Sequence, residues 1–222
     1  MGGAIAVLFA QKYPDMVEKL ILLTPAGLPW KLPGGAGILA IPKFGLWFFN
    51  FLASLGGQEK ILAEGYWDVE YSKESFAFVI KERQEANKKE LHASLVNSIV
   101  NFPLTSCVAE ATEVSKHERP TLIIWAEYDT TVPSDECFAQ YHALFGDKAT
   151  YSIVKDTRHD FMNEEKEITS KLILSWLAGV DFVPMELGKL RNPNSSKVEL
   201  TSRDKKIQKF WKAHSEYEKF LI

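Results

Sequence analysis

Two short runs of consecutive apolar residues constrain the fold of this chain more than any other feature of its sequence. Residues 20–23 are all Leu or Ile and end at a Thr-Pro pair, and residues 121–125 follow a proline. A strand buried on both faces shows no alternation of polar and apolar residues, and such strands are typical of parallel sheets. A third, weaker run covers residues 151–154. The chain is therefore predicted to contain a parallel sheet that lies in its interior.

Helical patterns alternate with these runs along the chain. Residues 2–13 begin with small side chains and end before a proline, and residues 134–145 and 164–178 repeat apolar side chains at helical spacing. Strand and helix in alternation are typical of a doubly wound α/β core, and 222 residues can hold such a core together with an insertion. The apolar face predicted for the last helix comprises Ile168, Leu172, Ile173, Trp176 and Leu177.

Residues 28–118 differ in character from the rest and are predicted to form a helical cap inserted into the core. They begin with a stretch rich in proline and glycine, and residues 38–55 are strongly apolar and aromatic. That second stretch approaches the length of a membrane span, but a proline, a lysine, a glycine and an asparagine interrupt it. We therefore expect it to form a pair of helices that are buried or lie at an interface. A long charged helix is expected from about residue 74 to residue 100.

Residues 182–222 form a third segment, a linker followed by a helix. Residues 186–203 are polar and contain turn-forming residues, and a helical pattern begins at Asp204. Two interpretations remain open. The helix folds back onto its own core, or, because five lysines accompany it, it docks on a partner or lies on an anionic membrane surface. Its predicted apolar face consists of Ile207, Phe210, Trp211 and Leu221.

The composition argues against several classes of function. A formal net charge of −3 argues against a nucleic-acid partner. Cys107 and Cys137 are too few for a disulfide framework or a zinc site, and both are expected to be structural. We expect no metal and no cofactor. We recognise no targeting segment, which favours the cytoplasm, with peripheral membrane contact through the cap or the C-terminal helix as the alternative. The histidines without metal-ligand spacing are His92, His117, His142 and His214.

Asp129 and His159 follow two consecutive predicted strands, close to the point where each strand ends. In open α/β sheets reactive groups collect beyond the carboxyl ends of the strands, so we expect the two side chains to lie together. Alone, each residue is more typical of a turn or a surface position. Side by side, a carboxylate that accepts the imidazole N–H would fix the tautomer of the histidine and stabilise its protonated form. The pair is therefore predicted to be the acid and the base of a catalytic centre.

Two segments of the sequence carry a family resemblance. Residues 125–129 read Trp-Ala-Glu-Tyr-Asp and are followed by Val132-Pro133, which resembles the W-G-x-x-D-x-x-V-P segment of the α/β-hydrolase superfamily. Met1-Gly2-Gly3 with the helix after it, followed by a strand that ends in Thr-Pro-Ala-Gly, resembles the latter half of a G-x-S-M-G-G nucleophile elbow. The resemblance covers about residues 1–180.

The resemblance implies an α/β fold in which this chain supplies the C-terminal half of an α/β-hydrolase sheet. Residues 1–27 and 119–181 would form part of the core. By resemblance, Asp129 is the acid of the catalytic triad, His159 is its histidine, and the backbone N–H of Met1 is a donor of the oxyanion hole. The nucleophilic serine is then expected immediately before Met1. The chain is therefore expected to be N-terminally truncated and inactive by itself.

Two departures from the superfamily pattern and one unpaired strand edge bear on this expectation. Ala126 and Arg158 stand where the superfamily usually has glycine, and Arg158 could crowd or charge the mouth of the active site. The apolar strand at 20–24 would normally pair with the strand that leads into the elbow. Without that partner it would be an exposed hydrophobic edge, which proteins usually avoid, and this favours truncation.

Three functions remain open on the sequence. The first is a serine hydrolase of carboxylic esters, including lipid-like esters, because Met follows the position of the nucleophile whereas relatives with an Asp nucleophile commonly have Trp there. The second is an epoxide hydrolase or dehalogenase with that Asp nucleophile. The third is a non-catalytic binding protein of the same fold, since fold alone does not fix function.

Overall fold

The three apolar runs form one parallel sheet in the computed structural model, which describes residues 1–31, 36–52, 54–55, 65–68, 88–181 and 200–222. The strands, β1 (Leu20–Leu23), β2 (Thr121–Ala126) and β3 (Ala149–Val154), lie in the order β1-β2-β3. In the register of the sheet, Thr121 of β2 lies opposite Leu20 of β1 and opposite Ala149 of β3. The carboxyl ends of all three strands therefore meet at one edge of the sheet.

Eight α-helices lie within the described residues, and helices precede and follow every strand, as the alternation predicts. The helices are α1 (Gly2–Lys12), α2 (Phe44–Leu52), α3 (Lys88–Asn101), α4 (Val108–Lys116), α5 (Ser134–Phe145), α6 (Phe161–Glu164), α7 (Lys166–Ala178) and α8 (Ser202–Ala213). Short 3₁₀ helices cover Pro14–Met16, Ala36–Ala40, Gly146–Lys148 and Ser215–Phe220.

The central strand β2 is buried on both faces, which explains why its sequence does not alternate. Ile123 and Trp125 belong to the larger core cluster, which α1, α4 and α5 line, whereas Leu122 and Ile124 belong to a second cluster beneath α7. All four side chains are fully buried. Each contributes on the order of 1.5–3 kcal/mol by its removal from water, so β2 anchors both layers of the fold.

The C-terminal segment folds back onto the core, which is the first of the two interpretations of its helix. Ile207 and Trp211 of α8 are buried, and the Trp211 ring lies 5.4 Å from the Phe138 ring of α5, centroid to centroid. Beyond α8, Leu221 forms a parallel bridge with Ile153 at the outer edge of β3. The apolar face of α8 is therefore occupied by the core rather than presented to a membrane.

The aromatic stretch departs in part from its prediction. A 3₁₀ turn and α2 form where a helix pair is predicted, but Phe44, Trp47 and Phe51 are exposed, and the Trp47 ring stacks on Phe51 and is tilted against Phe44. The reason is that α2 packs along one side only, where the Phe49 ring meets the His92 ring of α3 edge to face. Of the two forms predicted, burial does not hold for this aromatic face, and a helix that lies at an interface stays a prediction.

Two further predicted helices need adjustment. Of the helix predicted from about residue 74, only α3 lies within the described residues; residues 69–87 lie outside them, as do residues 182–199 of the predicted linker. The helix predicted at 164–178 is divided at Glu165 between α6 and α7. Leu177, predicted on its apolar face, is exposed: the last turn of α7 lies at the surface, where Lys19 Nζ donates to the Leu177 carbonyl.

The boundary between core and cap stays a prediction. Helix α4, inside the range predicted as cap, packs against α1 and α5, which belong to the core layer. Its buried residues Ala111 and Val114 join the larger core cluster. In the part of the chain that the structure describes, no helix is both long and apolar enough to cross a bilayer.

Candidate active site

Asp129 is held in a tight turn directly after β2. Its side chain is completely buried, and its Oδ1 accepts hydrogen bonds from the backbone N–H groups of Thr131 and Val132, both at 2.9 Å. The backbone N–H of Ser134, the first residue of α5, donates to the Asp129 carbonyl at 3.1 Å. Oδ1 is thus occupied by its own turn, and Oδ2 is the oxygen that faces the neighbouring loop.

His159 lies in the loop after β3 and contacts that second oxygen. Its Nδ1 is 2.8 Å from Asp129 Oδ2, so the contact expected between the two side chains is present. With Asp129 ionised, Nδ1–H is the donor, and Nε2 is the nitrogen that can take up a proton. The imidazole keeps 27% of its surface exposed whereas Asp129 keeps 0%. The imidazole is therefore accessible from outside, whereas the Asp129 carboxylate is shielded from water.

The surroundings of His159 favour its protonated form. Burial of the imidazole lowers the pKa of His159, but the charge of Asp129 and the hydrogen bond to it raise the pKa, and the net pKa lies above the usual value. The Asp160 carboxylate adds to the rise, and the amino group of residue 1 opposes it. A histidine with this balance can hold a proton during a reaction and release it afterwards.

The end of β1 and the first turn of α1 meet beside His159. Thr24, which follows β1 with a φ of 38°, places its Oγ1 3.5 Å from His159 Nδ1. Gly3 of α1 packs against Pro25 so closely that a Cβ atom at Gly3 would lie 2.5 Å from the proline Cβ. A glycine is therefore required there for α1 to start at the edge of the sheet that carries the two polar loops.

Met1, the predicted oxyanion donor, lies within reach of the same charges. Burial lowers the pKa of its amino group, the charge of Asp129 raises it, and the net pKa is below the usual value. This nitrogen is the atom that the prediction assigns to the oxyanion hole. Its role as an oxyanion donor stays a prediction.

A short segment from the predicted cap, Gly65–Asp68, covers the loop that carries His159. The backbone N–H of Asp160 donates to the Gly65 carbonyl at 2.9 Å. Glu164 Oε1 accepts from the backbone N–H groups of Trp67 and Asp68 at 2.6 and 3.0 Å. No sequence pattern identified this segment, because its contacts join residues about 95 positions apart in the chain.

Arg158 does not charge the mouth of the site, contrary to the expectation from its sequence position. Its side chain is 8% exposed, and its Nη2 lies 2.7 Å from Oδ2 of Asp204, a residue of α8 that is completely buried. The guanidinium also lies over the Trp67 ring, 5.8 Å from its centroid. The physical reason is the docking of the C-terminal segment, which supplies a carboxylate and so neutralises the guanidinium inside the protein.

The other candidate side chains stay outside this constellation. Cys107 and Cys137 are free and buried. Burial, followed by the charge of Asp129, raises the pKa of the Cys137 thiol, which opposes formation of a reactive thiolate. Within the described ranges, no group of His, Cys, Asp and Glu side chains has the arrangement of a metal site.

Comparison with solved structures places this architecture among known folds. A meta-cleavage product hydrolase of Pseudomonas fluorescens aligns over 80% of this chain with a TM-score of 0.58 and 17% identity. The enol-lactonase of Burkholderia xenovorans aligns over 80% with a TM-score of 0.55 and 21% identity, and a bacterial membrane phospholipase A over 80% with a TM-score of 0.51 and 17% identity. This chain spans 61%, 63% and 54% of those three proteins, respectively.

Comparison of sequences assigns the family. No curated protein matches the chain significantly. A sequence model of the family described as serine aminopeptidase, S33, matches residues 1–166, which include all three strands and both polar loops at their ends. The mixed α/β architecture and the similar solved structures agree with that assignment. The chain therefore belongs to the serine aminopeptidase S33 family of α/β-hydrolases, a family of hydrolases.

Proposed function

We propose that this chain supplies the acid and the base of a serine hydrolase that cleaves carboxylic esters. The observation that carries the proposal is the 2.8 Å contact between Asp129 Oδ2 and His159 Nδ1, formed at the carboxyl ends of two adjacent parallel strands. The acid is buried and the base is partly exposed, which is the arrangement that general base catalysis requires.

In this mechanism Asp129 holds His159 in the tautomer that leaves Nε2 free. Nε2 takes the proton of a serine hydroxyl as the serine oxygen attacks the ester carbonyl carbon, and it then gives that proton to the departing alcohol. A water molecule attacks the acyl-enzyme in the second half-reaction, again with His159 as the base, and releases the carboxylic acid. The raised pKa of His159 supports this role, because the imidazolium must persist through each proton transfer.

The nucleophile of the proposal is a serine that immediately precedes Met1, with the peptide N–H of Met1 as an oxyanion donor. The first turn of α1 supports this position, because it packs on Pro25 and the nitrogen at its start lies within reach of the Asp129 charge. Backbone N–H groups at the start of a helix of this length also favour a developing negative charge. Among the described residues no strand pairs with the outer edge of β1, which is compatible with a further strand there.

The proposed substrates are small carboxylic esters, including lipid-like ones. Two of the similar proteins are by name an enol-lactonase and a membrane phospholipase A, and lactones and phospholipids are both carboxylic esters. Contact with a membrane surface, if the substrate is lipid-like, is assigned to the exposed aromatic side chains of α2, because the apolar face of α8 packs on the core. Those side chains are Phe44, Trp47 and Phe51.

The test compares two forms of the protein on short-chain p-nitrophenyl esters. The 222-residue chain is expected to give no hydrolysis above background, and a form extended upstream through the serine is expected to be active. In the extended form, His159→Ala should lower kcat by about 10⁴-fold or more, since the members of a triad act as a unit. The codon before Met1 separates the alternatives: Ser is required by the proposal, whereas Asp would indicate an epoxide hydrolase or dehalogenase. An inactive extended form with Ser in place would favour the non-catalytic binding protein.

A further inference from the structure

The C-terminal helix α8 touches both loops of the candidate active site. Trp211 Nε1 donates to the carbonyl of Glu127, two residues before Asp129, at 2.9 Å. The Asp204 carboxylate binds the guanidinium of Arg158, the residue before His159. The family match ends at residue 166, so α8 lies beyond the part of the chain that it covers. A segment outside that match therefore fixes the loops that carry the acid and the base.

The contact between Arg158 and Asp204 is a buried ion pair that further hydrogen bonds support. Asp204 Oδ2 accepts from Arg158 Nη2 at 2.7 Å and, in a capping box, from the backbone N–H and the hydroxyl of Thr201 at 2.9 and 2.8 Å. The side chains of Arg158 and Asp204 are 8% and 0% exposed. A buried ion pair adds little net stability over apolar packing, because desolvation offsets the attraction. Stability alone therefore does not account for a charged pair adjacent to His159.

We propose that Asp204 is a positioning residue, which acts through Arg158 to hold the His159 loop in its catalytic geometry and to neutralise the cation of the residue that precedes His159. The proposal rests on the proposed role of His159 as the base. By this assignment α8 is part of the catalytic apparatus rather than only a cover for the core.

The charges around His159 determine the direction of the expected effect. Asp129 from the loop after β2, Asp160 from the His159 loop and the amino group at the start of α1 all act on the imidazole. Segment 65–68 faces the same loop with Tyr66, which is hydrogen-bonded to Asp160. With these groups unchanged, loss of the Asp204 charge removes the carboxylate that is bound to the Arg158 cation. The net charge of the loop that carries His159 becomes more positive, which opposes protonation of the imidazole, so the pKa of His159 should fall.

The experiment is an NMR titration of the histidine ring protons in the 222-residue chain, with the His159 resonance assigned by its loss in His159→Ala. Asp204→Asn keeps an oxygen for the capping box and removes the charge. It is expected to lower the pKa of His159 by about 0.3 units or more. The double variant Arg158→Met/Asp204→Asn removes both charges and is expected to restore the pKa to within about 0.2 units of the wild type.

The matched control lies on the same helix, one position earlier. Arg203 binds Asp135 and Glu136 of α5 at 2.7 and 3.2 Å, so Arg203→Met removes the ion pairs that this residue of α8 makes with α5 and leaves Arg158 and Asp204 unchanged. It should lower the melting temperature and leave the pKa of His159 unchanged. An equal fall of the pKa in Arg203→Met and Asp204→Asn, or no fall in Asp204→Asn, would overturn the proposal.

A second measurement uses the extended, active form of the protein. Asp204→Asn is expected to lower kcat by about ten- to a hundredfold with little change in KM, because a misplaced base slows the chemical step rather than binding. Unchanged kcat in a folded variant would also overturn the positioning role. The titration needs no activity, so a failure of the proposed esterase function and a failure of this inference give different results.

Discussion

Replacement of Asp129 by asparagine tests the core of the proposed mechanism. The carboxamide oxygen of the introduced side chain can still accept the two backbone hydrogen bonds at 2.9 Å from Thr131 and Val132, so the turn should persist. Its NH₂ group, however, would face Nδ1 of His159, where the carboxylate oxygen now lies at 2.8 Å. The ring must then turn Nδ1 into an acceptor and carry its hydrogen on Nε2. The nitrogen that should take up the serine proton would no longer be basic.

The magnitude follows from this change of tautomer. We expect kcat of the extended form to fall by about 10⁴-fold, which corresponds to roughly 5 kcal/mol of transition-state stabilisation. The free energy of unfolding should change much less, by about 1.5–3 kcal/mol for the lost charged hydrogen bond. The pKa of His159 should fall below its usual value, because burial remains and the charge that outweighs it is removed.

The assay combines ester hydrolysis with NMR titration of the histidines, and Asp160→Asn is the matched control. Asp160 also raises the pKa of His159 through its charge, yet Asp129 is the carboxylate that bonds the ring. The control should therefore lower the pKa slightly and cost less than about tenfold in kcat. Activity of Asp129→Asn within about tenfold of the wild type, or an equal loss in the control, would refute the reasoning.

Three further outcomes are expected. Because the pKa of His159 is raised in the folded state, its contribution to stability should be full below about pH 6.5 and lost as the pH rises through the folded-state pKa; His159→Gln should remove that slope from urea titrations at several pH values. Gly3→Ala should cost about 1–3 kcal/mol by denaturant unfolding, whereas exposed Gly2→Ala should be close to neutral. Deletion of residues 186–222 should lower the melting temperature by about 10 °C or more and leave binding to anionic vesicles unchanged, since Ile207 and Trp211 are buried in the core; reduced vesicle binding would contradict this.

Local sequence patterns were sufficient to predict the central elements of the fold. Strand β2 and helix α5 lie where the sequence predicts them, because a strand buried on both faces is a continuous apolar run and a helix with one apolar face repeats apolar residues at helical spacing. The contact between Asp129 and His159 was also predictable, because the carboxyl ends of adjacent parallel strands must meet. The proximity of these two side chains thus follows from the order of the strands.

Only the tertiary structure decided what surrounds that pair. The partner of Arg158 is Asp204, 46 residues further along the chain, and the cover over the His159 loop comes from residues 65–68, about 95 residues before it. No local periodicity records such contacts, because they depend on how a docked helix and an inserted segment pack against the sheet. The sequence by itself therefore determined the sheet, most of the helices beside it and the proximity of Asp129 and His159. Packing decided which charges are neutralised, which loops are held, and which of the aromatic side chains stay exposed.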